Sequence, residues 1–136
     1  MDSGALQPGL KGSAELIVGE QHLASAVGSG LVPVFSTPML IALLENAAVD
    51  ALRPVLPEGQ TSVGTRLDVR HLAPTPPGMR VRAFAELVRV EGRALTFSVW
   101  AEDEKERIGE GVHERAVIDR ARFDKRVREK AGGQPG

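Results

Sequence analysis

Three side chains in this sequence have the types and spacing for acyl-transfer chemistry: the hydroxyl of Thr37, the carboxylate of Glu45 and the imidazole of His71. Thr37 stands before Pro38, so it reads as the N-cap of a helix whose first residue needs no N–H. Glu45 lies in the same helix, about 100° from Asn46 and on the apolar side. A carboxylate there must be paired, protonated or functional, because an isolated buried charge is too costly to persist. His71 is one of three histidines, with His22 and His113, and it shares the parity of Val63, Thr65, Leu67 and Val69 on a strand. Hydroxyl, imidazole and carboxylate together are the components of nucleophilic acyl transfer. The start of a helix adds free N–H groups suited to an oxyanion. Each residue also has a plainer reading: Thr37 as an ordinary cap, Glu45 as a structural salt bridge to an arginine, His71 as a core histidine.

The element that must position two of them runs from Ser36 to Arg53, STPMLIALLENAAVDALR. Met39, Leu40, Ile41, Leu43, Leu44, Val49 and Leu52, with four alanines, make it apolar nearly all round, which predicts a buried helix. Asn46, Asp50 and Arg53 form the one stripe that reaches solvent, and Pro54 with Pro57-Glu58-Gly59 ends the helix. Ahead of it, Ser13–Val18 has strand composition and Gly19–Val34 reads as a long loop of the kind that serves as a lid or binding loop. Behind it come four strands: Ser62–Leu72, Met79–Val90, Ala94–Ala101 and Arg107–Asp119. Val81, Ala83, Ala85 and Leu87 point inward on one, Leu95, Phe97 and Val99 on the next. On the last strand Ile108, Val112, Ala116 and Ile118 read as inward, which turns His113 and Arg115 to solvent unless Gly109 and Gly111 carry a bulge that reverses the parity. Ala121–Lys130 reads as a short charged helix.

A helix apolar on most sides needs a sheet curled around it, and the order β–α–β–β–β–β is that of the hotdog architecture in the α+β class. One domain, residues 1–130, is expected, with a disordered tail at 131–136. Exposed sheet edges favour pairing with a second copy, so a homodimer or a dimer of dimers is expected.

Composition narrows the function. With 17 Lys+Arg against 18 Asp+Glu, no global field advertises nucleic acid or a membrane surface as a partner. There is no cysteine, hence no disulfide framework, thiolate zinc site or cysteine nucleophile. No two histidines stand at ligand spacing, so no metal is expected. Dinucleotide and Walker glycine patterns are missing. The first residues lack a secretion signal and no apolar run spans a bilayer, so a cytoplasmic protein is expected.

The segments VFSTPMLIALLENAA, SVGTRLDVRHLAPTPPGMRV, VEGRALTFSVWAED and GEGVHERAVID resemble the fluoroacetyl-CoA thioesterase family of hotdog proteins, over about residues 32 to 128. The resemblance implies hydrolysis of a small acyl-CoA thioester, with coenzyme A as part of the substrate and no other cofactor. It implies a catalytic set of Thr37, Glu45 and His71, with Gly64 and Arg115 handling the acyl group and thioester. Leu31 falls where the fluoroacetyl-specific enzyme carries a lid phenylalanine, so fluoroacetyl selectivity is not expected to carry over. Attack by water and attack by an enzyme nucleophile are both open. The alternative function is a non-catalytic acyl-CoA or small-ligand binding module; a hotdog hydratase is a third reading. On a straight helix Thr37 and Glu45 lie about 12 Å apart along the axis. Either the first turn is irregular or, as in other hotdog thioesterases, one site draws on both subunits; the second is the expectation.

Overall fold

Among the described residues, 5–132 of the computed structural model, five strands form one antiparallel sheet. Strand β1 (Lys11–Ile17) leads through a 3-10 turn at Glu20–His22 and a one-turn helix α1 (Ala24–Val27) to the main helix α2 (Thr37–Leu52). Then follow β2 (Gln60–His71), β3 (Arg80–Glu91), β4 (Ala94–Glu102), β5 (Arg107–Asp119) and α3 (Arg120–Lys130). The spatial order is β1-β3-β4-β5-β2, which leaves β1 and β2 as edges. The sheet curls around α2, as the sequence implied.

Apolar burial on the inner face of the sheet explains that curl. Leu40 and Leu44 of α2 meet Val81 and Leu87 of β3 and Leu95 and Phe97 of β4 in one core, and all six are fully buried. Each such side chain contributes roughly 1.5–3 kcal/mol relative to exposure. Small residues let the helix close on β1: a Cβ on Gly12 would run into the Ala47 carbonyl and the Ala51 backbone.

α2 is not apolar and buried all round. Pro38, Asn46 and Val49 are exposed, while Ile41, Ala42 and Glu45 are half-buried, so one side of the helix carries an uncovered stripe. Asp50 does not simply face solvent; its carboxylate accepts from the Ser13 N–H of β1 at 3.0 Å and from Arg53 at 2.8 Å.

Three strands depart from strict alternation: β3 carries an extra residue at Val88, and the departures on β2 and β5 move functional side chains. On β2 the register against β5 shifts between Gly64 and Arg66, so Thr65 is an extra residue. Leu67, Val69 and His71 keep the expected inward parity, but upstream of the bulge the inward residues are Ser62 and Gly64 rather than Val63 and Thr65. On β5 the register against β4 slips at Ile108, which lies between the pairs Glu102↔Arg107 and Ala101↔Gly109. The reversal that the glycines were expected to permit occurs there, one residue before Gly109. His113, Arg115 and Val117 are buried as a result, and Val112, expected inside, is 38 % exposed.

Three local expectations also need adjusting. β1 starts two residues earlier than expected. The loop from 19 to 34 contains the 3-10 turn and α1, and the bridge between Leu23 and Phe35 ties its ends together. Ala131 and Gly132 form a turn that closes α3; the rest of the tail expected to be disordered lies outside the described residues. Among the described residues no helix is long and apolar enough to cross a membrane.

Candidate active site

The start of α2 is built from three consecutive residues with three separate tasks. Ser36, not Thr37, is the cap: its hydroxyl accepts from the Met39 N–H at 3.3 Å, and Leu40 N–H bonds its carbonyl at 3.0 Å. Thr37 is the first helical residue and Pro38 the second, which frees the Thr37 hydroxyl from capping. Buried Phe35 fixes the entry of the chain, its N–H on the Thr75 carbonyl at 2.9 Å. The Thr75 hydroxyl, itself fully buried, donates to Asp103 at 2.9 Å, and that carboxylate also holds the β4–β5 turn through the N–H groups of Lys105 and Glu106.

The freed hydroxyl meets the imidazole. Thr37 Oγ1 lies 2.7 Å from His71 Nδ1, at the last residue of β2. Burial pushes the His71 imidazole below its ordinary value, so the ring is neutral at pH 7 and able to take a proton. Its other nitrogen, Nε2, is buried without a partner. The pair lines an open groove of about 350 Å³, whose walls include Val32, Val34, Leu72 and Ala73. Apart from His71, the lining carries no ionisable side chain. The helix start offers fewer donors to an oxyanion than a free first turn would: Pro38 has no N–H, and those of Met39 and Leu40 are engaged, so in that turn the Thr37 N–H remains.

Glu45 stands in a second cluster two helical turns away. Its Oε2 is 3.4 Å from Arg115 Nη1 and 3.9 Å from His113 Nε2. Arg115 is only 6 % exposed and is held from several sides: Nε donates to Ser62 Oγ at 2.8 Å and Nη2 to the Ser62 carbonyl at 3.1 Å. Burial lowers the guanidinium below its ordinary value while Glu45 opposes the shift, and the group remains a cation. Gly64 belongs here as well; a Cβ on it would collide with Glu45 Oε2 and approach His113 Cε1 to 3.3 Å. The glycine leaves the space that the carboxylate occupies.

The protomer therefore brings together Thr37 with His71, and Glu45 with Gly64 and Arg115, as two groups. α2 is continuous from Thr37 to Leu52 and regularly capped, so an irregular first turn does not join them. About 12 Å of helix axis separates Thr37 from Glu45. Leu31 does not face the groove at all: it is 97 % exposed, and Val32 and Val34 line the wall instead. Sequence reasoning missed His113 and Ser62, both placed inside by bulges; the glycines of β5 were the available signal for the first.

A protein-family model described as fluoroacetyl-CoA-specific thioesterase matches residues 18–121 of this chain. The chain belongs to that family. The fluoroacetyl-CoA thioesterase of Streptantibioticus cattleyicolor is 47 % identical over 97 residues, which is 71 % of this chain and 70 % of the relative. The solved structure of the fluoroacetyl-CoA thioesterase FlK superposes with a TM-score of 0.87 at 36 % identity, covering 93 % of this chain and 98 % of the other. A variant of that enzyme has been solved with fluoroacetate and CoA. A thioesterase superfamily member from Thermus thermophilus superposes equally well, with a TM-score of 0.87 at 28 % identity over 94 % and 95 % of the two chains. This protein is thus a hotdog-fold member of a thioesterase family, and thioesterases are hydrolases.

Proposed function

We propose that the protein hydrolyses a small acyl-CoA thioester to the free acid and CoA, using Thr37, His71 and Glu45. The observation that carries this reading is the 2.7 Å contact between the Thr37 hydroxyl and a neutral His71 at the mouth of an apolar groove. A nucleophile and base within hydrogen-bond reach is the signature of an activated acyl-transfer site. The attacking oxygen, from Thr37 or from a water beside it, forms a bond to the thioester carbonyl while its proton passes to His71. The Thr37 N–H faces the oxyanion that develops. Collapse of the tetrahedral adduct breaks the C–S bond, and His71 returns the proton to the departing thiolate. If Thr37 attacks, a water repeats the cycle on the acyl-enzyme.

Glu45 enters this scheme from the partner subunit of a homodimer. The uncovered stripe of α2, with Pro38, Ile41, Glu45 and Val49, and the free edge of β2 support that arrangement. A second copy laid along them would pair the strand edge and bring Glu45 of the partner subunit towards the Thr37–His71 pair. Gly64 and Arg115 travel with Glu45 and shape the acyl end of the same site. Within one protomer the groove beside Thr37 and His71 has no ionisable lining residue other than His71, so any charge that meets the acyl group comes with Glu45 and Arg115. Fluorine selectivity is not part of the proposal, because Leu31 projects into solvent instead of closing the groove.

The test is release of free thiol from a panel of short acyl-CoAs that includes acetyl-CoA and fluoroacetyl-CoA. Turnover of several members without a large preference for the fluorinated one is the expected result. A strong fluoroacetyl preference would overturn the selectivity reading. Binding without turnover across the panel would replace the enzyme by an acyl-CoA binding module.

A further inference from the structure

His113 has no part in the chemistry above, yet it is the histidine most completely enclosed, at 0 % exposure. Its hydrogen bonds identify its tautomer. Nδ1 lies 2.9 Å from the Arg66 carbonyl oxygen, which only accepts, so Nδ1 carries the proton. Nε2 is then a bare lone pair, and Arg115 Nη1 donates to it at 3.0 Å. Ser62 holds the other side of the guanidinium, at Nε and Nη2. The edge left for Glu45 is therefore Nη1, whose direction depends on His113.

We infer that His113 is a positioning residue for Glu45: as the neutral Nδ1–H tautomer it accepts from Arg115 and holds the Nη1 edge to which Glu45 is aimed, and its protonation releases that edge. This rests on the catalytic role proposed for Glu45. Glu45 needs such an aim because its own side chain is 36 % exposed and its one hydrogen-bonding side-chain partner is Arg115 Nη1, at 3.4 Å. A shift of about 1 Å in a catalytic group can cost about 100-fold in rate.

The groups facing the ring define what protonation would do. From its own strand comes the cation Arg115; from α2 comes the carboxylate of Glu45, 3.9 Å from Nε2. From β2 comes only the Arg66 carbonyl, the Arg66 guanidinium being paired with Glu114 and Asp68 at the surface. From β4 comes the uncharged ring of Phe97, 6.3 Å between centroids. A proton on Nε2 would remove the acceptor and set a second cation against Arg115, with Glu45 as the only counter-charge. Burial, and then Arg115, push the imidazole below its ordinary value, against the Arg66 carbonyl and Glu45, which pull it upward. The neutral form is the one present at pH 7.

Two variants and one spectrum test the inference. Long-range proton–nitrogen spectra of the labelled wild-type protein at neutral pH should show His113 with a protonated Nδ1 and a bare Nε2; the opposite tautomer or an imidazolium would overturn it. His113→Leu, which keeps bulk but removes the acceptor, should lower kcat about 10- to 100-fold on the best thioester of the panel while KM stays within about threefold. His113→Gln restores an acceptor that does not titrate, and should recover to within about threefold of wild type at pH 7. Towards about pH 5 it should lose less of its rate than wild type does. Wild-type kcat in His113→Leu would sink the positioning role. If the wild type turns over no thioester, the proposed function fails instead, and a crystal structure of His113→Leu still decides: an unmoved Arg115 and Glu45 would reject the inference.

Discussion

Gly64→Ala separates the function of the Glu45 cluster from its contribution to the fold. The new Cβ would collide with Glu45 Oε2 and sit 3.3 Å from His113 Cε1 and 3.5 Å from Arg115 Nη1. His113 and Arg115 are buried and tethered, whereas the Glu45 side chain is 36 % exposed, so Glu45 is the group that gives way. The backbone does not resist the change, since Gly64 is not among the positive-φ glycines. Replacing glycine at an unstrained position gains about 0.4–1 kcal/mol through the unfolded chain. Against that stands a weakened Glu45–Arg115 pair which, being partly exposed, is worth at most about 1 kcal/mol. The two offset, and thermal unfolding should shift by no more than about 4 °C. Activity should not be spared: a carboxylate displaced by an ångström or more costs about 10- to 100-fold in kcat/KM. The assay is thiol release beside a melting curve on the same preparation. Full activity in Gly64→Ala would refute the placement of Glu45 in the site, and a fall of 10 °C or more, on the order of 2 kcal/mol, would show that Gly64 is required by the fold instead.

Thr37→Val keeps the branched shape and removes the hydroxyl from His71, so kcat should drop about 100-fold or more while stability moves by less than about 0.5 kcal/mol, because Ser36 retains the cap. Ser36→Ala should do the reverse in a denaturant titration, losing about 1 kcal/mol of stability. Stability should also depend on pH through His71 and His113. Both are held below the ordinary value of 6.5, so the unfolded chain binds more protons in the window beneath it. Their contribution is complete above 6.5 and is lost as pH falls towards the folded-state values, and replacing both by glutamine should flatten that slope. Asp103→Ala strands the fully buried Thr75 hydroxyl and frees two turn N–H groups, for a loss of about 2–3 kcal/mol by denaturant midpoint. Adding Thr75→Val should recover part of that loss, and strict additivity would count against the coupling.

What could be read from the chain alone follows from which forces act locally. β3 and β4 are regular where they face the core, so period-two hydrophobicity placed Val81, Leu87, Leu95 and Phe97 correctly. β2 and β5 each contain an extra residue, and one extra residue reverses every side chain beyond it. For that reason strict alternation puts Ser62 on the outward parity of β2, and turns His113 and Arg115 to solvent unless the glycines of β5 carry a bulge, which leaves Arg115 open. Apolarity carries no sign of the error, since a strand with Val112 inside and His113 outside looks consistent in apolarity alone; Gly109 and Gly111 were the available signal. Glu45 on the apolar side of α2 had to be paired, protonated or functional, and an arginine partner was one of those readings. That requirement was legible, while the partner itself, Arg115 seventy residues later, was not. Likewise two hydroxyls precede Pro38, and local propensity accepts either as the cap. The choice of Ser36 is tertiary: Phe35 is anchored through Thr75 to Asp103, which sets where the helix begins and leaves Thr37 free for His71.

That choice has a consequence for the site as a whole. A continuous helix carries Thr37 at its first turn and Glu45 at its third, and beyond Pro38 in the first turn it has no proline or glycine to bend it, so rotamers cannot close their separation. A single protomer can therefore present a hydroxyl–imidazole pair or an aimed carboxylate to one carbonyl carbon, but not both. If all three residues act on one thioester, the carboxylate must come from a second α2 related by a twofold axis, and each dimer then holds two equivalent sites. Mixing Thr37→Val with Glu45→Gln protomers distinguishes the cases: neither parent is active, yet a shared site regains one intact centre in each mixed dimer, about a quarter of wild-type activity in an equal mixture that exchanges freely. No recovery in subunits shown to exchange would confine the chemistry to one protomer, and Glu45 would then act on Arg115 and the acyl end rather than on the attacking oxygen.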